Sequence, residues 1–126
     1  LRRLLLEVLE RSAEPARALR GRLSSFIDLV AVDGTVVRLH DLLAQSFPAC
    51  RTNHTKAAAK LTVVMSVLGK GARTVRISPE RRHDSTLLTV GSWVKGRLLL
   101  FDLGYYRYSL FERIDAYGGF FVTRLK

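Results

Sequence analysis

Two aspartates in this 126-residue sequence have the setting that metal or acid–base chemistry needs. Asp33 follows the run Phe26-Ile27-Asp28-Leu29-Val30-Ala31-Val32, and Asp102 follows Arg97-Leu98-Leu99-Leu100-Phe101. Both runs are aliphatic or β-branched enough to predict strands, and a glycine comes within two residues of each aspartate, Gly34 and Gly104. Ligands of α/β sheets collect outside the carboxyl ends of parallel strands. If these two strands are parallel neighbours, strand spacing brings the carboxylates within several ångströms of each other. Two carboxylates at that separation repel, and a divalent cation relieves the repulsion. Mg²⁺ suits such a pair because it takes one or two carboxylates together with phosphate oxygens. The plainer alternative is that each aspartate is only a strand-end turn residue.

The elements that must carry the pair are readable in outline. Leu1, Leu4, Leu5, Val8 and Leu9 form one stripe of an amphipathic helix, and Pro15 opens a second short helix bearing Leu19 and Leu23. Residues 1–25 therefore read as a helical lead-in, and 26–126 as the folded core. Within the core, Phe26 to Val32 is a strand ending at Asp33-Gly34-Thr35. His40 to Phe47 is a short helix with Asp41 near its start and Pro48 closing it, and Ala49 to Ala59 is a loop. Lys60 to Leu68 and Arg73 to Ser78 alternate as a hairpin around Gly69-Lys70-Gly71, and Pro79 stops it. Asp84-Ser85-Thr86 caps a helix running to about Val90. Arg97 to Phe101 is a strand, Tyr106 to Tyr117 a helix with Leu110, Phe111 and Ile114 on one face, and Phe120 to Leu125 a last strand. This order predicts an α/β fold: a mixed sheet with helices on its faces.

Composition limits the partners. With 21 Lys and Arg against 11 Asp and Glu, the formal charge is +10, and the 16 Arg and 5 Lys are spread along the whole chain. A small folded domain with that excess favours a polyanion, nucleic acid before anionic membrane, and arginine's planar fork suits phosphate. The 48% hydrophobic content excludes a disordered tail. A single cysteine, Cys50, excludes an internal disulfide framework and a multi-cysteine zinc site, and no chemistry is assigned to it. Uncharged apolar stretches such as Leu61 to Gly69 fall far short of a membrane span, and Arg2, Arg3 and Glu7 interrupt the opening apolar run too early for a secretory signal. The expected setting is cytoplasmic, with no membrane partner.

Ala31-Val32-Asp33-Gly34-Thr35, taken with Leu100-Phe101-Asp102-Leu103-Gly104-Tyr105, resembles the DDE transposases of bacterial insertion sequences. Ala57-Ala58-Ala59-Lys60-Leu61, His83-Asp84-Ser85 and the closing Gly118-Gly119-Phe120-Phe121-Val122-Thr123-Arg124-Leu125-Lys126 agree with it. The resemblance implies an RNase H-like catalytic core that cuts double-stranded DNA and joins a 3′ end to a target, working as a dimer on transposon ends. It further implies two Mg²⁺ or Mn²⁺ ions held by two aspartates and a distant glutamate. Asp33 matches the first acid and Asp102 the second. The third belongs to a Tyr-x2-Arg-x3-Glu-x6-Lys motif that has no counterpart here, and Glu112 lies on the wrong element for it. The sequence, opening on Leu1, is therefore expected to be a truncated piece, inactive or nearly so alone.

Lesser candidates surround the pair. His83 and Asp84 are possible auxiliary groups, with Asp84 as an N-cap the simpler reading. Lys56, Lys60, Arg81, Arg82 and Arg107 are the expected contacts to the DNA backbone. Trp93 and the Tyr105-Tyr106-Tyr108 cluster fit packing better than base stacking. Two other functions remain open: a non-enzymatic DNA-binding remnant of a transposase, and a stand-alone RNase H-like nuclease using Asp84 as its third acid.

Overall fold

The computed structural model describes Arg3, Leu4, Glu7 and residues 18–50, 55–69, 74–81 and 88–124. Five strands form one mixed sheet: β1 (Asp28–Leu39), β2 (Ala57–Ser66), β3 (Thr74–Pro79), β4 (Arg97–Phe101) and β5 (Phe120–Val122), in the spatial order β3-β2-β1-β4-β5. β1, β2 and β3 pair antiparallel, whereas β4 runs parallel to β1 and β5 parallel to β4. The helix α1 (Tyr108–Ala116) crosses from β4 to β5. The predicted α/β class and mixed sheet hold, with the architecture expected of an RNase H-like DDE domain.

One face of the sheet carries the core. Val30, Val32, Val64, Leu99 and Phe101 point to it and pack with Tyr105, Leu110 and Ile114 from the connection and α1, and with Leu88, Val90 and Val94. Aromatic rings bind α1 to the sheet: Phe111 stacks on Phe121 at 4.4 Å, and Phe101 lies 5.8 Å from Phe121 and 6.1 Å from Phe111. The helix stops in a tight reversal where the Gly118 N–H donates to the Asp115 carbonyl and the Gly119 N–H to that of Ile114. Gly118 has φ +70°, and a Cβ on Gly119 would meet Val94 Cγ2 at 2.9 Å, so both glycines are required there. The other face leaves Ile27, Met65, Val67, Phe120 and Val122 between 42% and 55% exposed.

Several boundaries differ from those expected. β1 does not end at Asp33 but continues to Leu39, because β2 goes on pairing with it after β4 has stopped, and Thr35, Val36 and Val37 favour extended backbone. β2 starts at Ala57 rather than Lys60: the three alanines are small enough to be buried between neighbouring segments. The helix over His40–Phe47 shrinks to a 3₁₀ turn, Asp41–Leu43, capped by His40 Nδ1 accepting from the Leu42 N–H. α1 is shorter than Tyr106–Tyr117 because Leu103–Tyr105 forms a separate 3₁₀ turn, and β5 ends at Val122. Leu88 to Val90 is irregular, not the end of a helix. In the lead-in, Arg3, Leu4 and Glu7 are helical with Leu4 exposed, whereas Ala18 to Arg20 is irregular and Gly21–Leu23 a 3₁₀ turn. The helix expected to open at Pro15 and the Gly69-Lys70-Gly71 turn fall largely outside the described residues.

At the amino end of β1, Asp28 is fully buried. Its Oδ1 accepts from the N–H groups of Leu29 (2.8 Å) and Leu68 (3.0 Å), and its Oδ2 accepts from Ser66 Oγ. Arg97 Nε lies 4.0 Å from Oδ2, and Arg97 is also the β4 register partner of Asp28. One side chain thus ties β1 to both neighbours. Asp28→Ala removes the carboxylate facing Arg97 and the acceptor of the Leu29 N–H, the Leu68 N–H and Ser66 Oγ, which costs about 3–5 kcal/mol. Urea denaturation checks this, and a loss below about 1 kcal/mol contradicts the structural role assigned to Asp28.

Candidate active site

The register of β1 and β4 sets the site. Its last pair is Val32 with Phe101, so Asp33 and Asp102 are the next residue on each of two parallel neighbours. β4 and β5 pair Leu98 with Phe120 and Leu100 with Val122, and the same offset carries Asp102 to Arg124. Asp33, Asp102 and Arg124 thus form one row across three strands. Side-chain alternation puts Asp33 on the face of Leu29 and Ala31, opposite the helix-covered core. β1 and β4 are the parallel neighbours that the expectation required, although only Asp102 is at a strand end.

Each carboxylate is oriented by the backbone that follows it. Asp33 Oδ1 accepts from the Gly34 N–H at 2.8 Å, and Asp102 Oδ1 from the Leu103 N–H at 2.7 Å. Arg124 Nη2 donates to the same Asp102 oxygen at 2.9 Å, with both side chains largely exposed. The Leu103 N–H, and after it the Arg124 guanidinium, hold the Asp102 carboxyl below the ordinary aspartate value, against a smaller opposing effect of desolvation. The second oxygen of each aspartate has no partner among the described residues. Two hard oxygen donors, side by side and accessible, fit Mg²⁺ or Mn²⁺. No group of three or more His, Cys, Asp or Glu side chains suited to a metal occurs among the described residues.

The basic candidates divide. β1, β3, β4 and β5 all point the same way, so Arg81 beyond β3 and Arg107 before α1 lie toward the carboxyl-end side of the sheet, where Lys56 precedes β2. All three are exposed. Arg81 Nε donates to the Ala49 carbonyl at 2.8 Å, and the Lys56 N–H donates to Asp41 at 3.1 Å. Lys60, paired with Val36 and Ser78, has the parity of Val64 and belongs to the face opposite Asp33. His83, Asp84 and Arg82 lie outside the described residues. Tyr105 is buried, and Trp93 packs against the core with its Nε1 donating to the Thr89 carbonyl, as packing residues should, whereas Tyr108 is 78% exposed. Glu112 is exposed on α1.

Sequence reasoning missed Asp28 and Arg124 as contributors. Asp28 had a signal, a lone charge inside an apolar strand run. Arg124 had none without the β5 register.

Because the folded Asp102 pKa is depressed, the stabilisation from its contacts is present above the unfolded value near about 3.9 and is lost as pH falls through the lowered one. A ¹³C titration of the Asp102 carboxyl is expected to show a midpoint below that of a free aspartate, moving up in Arg124→Gln. A midpoint at or above the free value contradicts the geometry.

No helix among the described residues is long and apolar enough to cross a membrane. The search of curated proteins and that of solved structures give no match. The family model described as "Transposase DDE domain" matches residues 24–126, which takes in the whole sheet, α1 and both aspartates. The chain belongs to the transposase DDE domain family.

Proposed function

We propose that Asp33 and Asp102 are two of the acids of a divalent-metal site that cleaves DNA and joins the freed 3′ end to a target. The observation that carries this reading is the register row, which puts two oriented, accessible carboxylates on adjacent parallel strands. Mg²⁺ or Mn²⁺ held there would supply activation of a water or 3′-hydroxyl and stabilisation of the departing oxygen.

The chain's own residues do the rest. Gly34 and Leu103 N–H groups fix one oxygen of each carboxylate, leaving the other to face the ion. The aromatic stack of Phe101, Phe111 and Phe121 holds the ends of β4 and β5 rigid just before Asp102 and Arg124. Lys56, Arg81 and Arg107 neutralise DNA phosphates along the rim, the usual electrostatic requirement of phosphoryl transfer. Arg82 joins them in this reading, and His83 and Asp84 are auxiliary to the acids. Lys60 serves the DNA backbone from the other face. Glu112, on α1, does not complete the ligand set. The substrate is double-stranded DNA, transposon ends and target, bound by a dimer in a bacterial cytoplasm. Insertion-sequence origin and dimeric action rest on the resemblance described above.

Mn²⁺ binding followed by electron paramagnetic resonance tests the site. Asp33→Asn and Asp102→Asn are each expected to weaken binding at least about 10-fold, since disturbing even supporting residues of a metal site costs that much. Binding unchanged in both variants overturns the assignment. Duplex DNA affinity is expected to fall at least about 10-fold between about 50 and 200 mM salt through counterion release. A salt-independent affinity removes DNA as the reason for the +10 charge.

A further inference from the structure

Two Asp–Arg contacts of opposite character occur among the described residues. Asp28 is fully buried with Arg97 beside it, whose side chain is 17% exposed, and that pair belongs to the sheet itself. Asp102 and Arg124 are 56% and 77% exposed, beyond the last hydrogen-bonded residues of β4 and β5, and join through one contact of 2.9 Å. An exposed pair of this kind is weak because water competes for both partners and ordering a long side chain opposes it. Its position is the unusual feature. It ends the row that begins at Asp33, so the guanidinium sits on one of the two carboxylates proposed to bind the metal. Asp102 Oδ1 accepts from both Leu103 N–H and Arg124, whereas among the described residues Asp33 accepts from its Gly34 N–H alone.

We propose that Arg124 is an exchangeable counter-ion of Asp102, displaced by the divalent cation and thereby released to a DNA phosphate. The inference rests on the metal-site reading above. A guanidinium has no acceptor and no lone pair for a metal, so it cannot join the ligand set; next to a dication it is repelled. Until the cation arrives, its 2.9 Å hydrogen bond directs Asp102 along the row, which makes Arg124 a positioning residue for Asp102. Once freed, its planar fork matches two phosphate oxygens, and the strand end leaves it exposed to reach them. Linkage then requires two effects of opposite sign. Without DNA, Arg124 opposes metal binding. With metal bound, Arg124 favours DNA, so metal and DNA bind cooperatively through it.

The test compares the wild-type chain with Arg124→Gln and Arg124→Lys, all at an exposed position. Mn²⁺ Kd is measured without DNA, and duplex Kd is measured in EDTA and in saturating Ca²⁺. Arg124→Gln is expected to bind Mn²⁺ about 2- to 5-fold more tightly than wild type, the range set by an exposed ion pair. Wild type is expected to bind duplex more tightly in Ca²⁺ than in EDTA, with most of that gain lost in Arg124→Gln and part of it kept in Arg124→Lys. Mn²⁺ affinity unchanged or weakened in Arg124→Gln, with wild type binding normally, overturns the counter-ion role and leaves the Asp33–Asp102 site standing. A Ca²⁺ gain of equal size in wild type and Arg124→Gln overturns the release to phosphate. Absence of Mn²⁺ binding in wild type overturns the metal site and this inference with it.

Discussion

The buried carboxylate of Asp28 governs the register on which the site depends. It holds the amino end of β1 to Ser66 and Leu68 on one side and stands opposite Arg97 on the other. Five residues along both strands from the Asp28–Arg97 pair come Asp33 and Asp102. A slip of β4 by one residue would place Phe101 or Leu103 beside Asp33 and turn Asp102 to the helix-covered face. The alignment of Asp33 with Asp102 is therefore set at the far end of the sheet, by a polar group that only a satisfied buried environment tolerates.

The carboxyl end is built differently. Here β4 stops at Phe101 and β5 at Val122, while β1 continues to Leu39 along β2 alone. Ending two strands early opens the backbone beyond them, so Asp102 and Arg124 have no strand neighbours farther out and Asp33 is exposed on its β4 side. Rigidity comes instead from the face below, where Phe101, Phe111 and Phe121 stack and the Gly118–Gly119 reversal returns the chain directly into β5. A rigid, apolar floor beneath an accessible polar rim is the combination that a site for a charged polymer requires.

Much of this was legible in the sequence, for reasons that differ by element. Arg97–Phe101 was read to the residue because an apolar run bounded by Gly96 and Asp102 has few alternatives. The face of α1 carrying Leu110, Phe111 and Ile114 followed from helical period alone. Asp33-Gly34 carries turn chemistry that predicts an early end to β1, and the pairing with β2 that overrides it is a tertiary fact. Ala57 to Ala59 looked like a loop because alanine has no strand preference, and only burial between neighbouring segments explains those residues. The two aspartates were identifiable because each follows an apolar run. The third member of their row was not, since Arg124 acquires its place from an offset of 22 residues between β4 and β5 that no local pattern encodes.

In the proposed site, the β1–β4 register makes Asp33 and Asp102 joint ligands of one divalent cation. Anomalous diffraction at the manganese edge, from crystals grown with Mn²⁺, tests it most directly. A peak is expected within bonding distance of oxygens from both aspartates, with the Arg124 guanidinium withdrawn from Asp102. Manganese bound elsewhere, or at one aspartate with the other turned away, would contradict it.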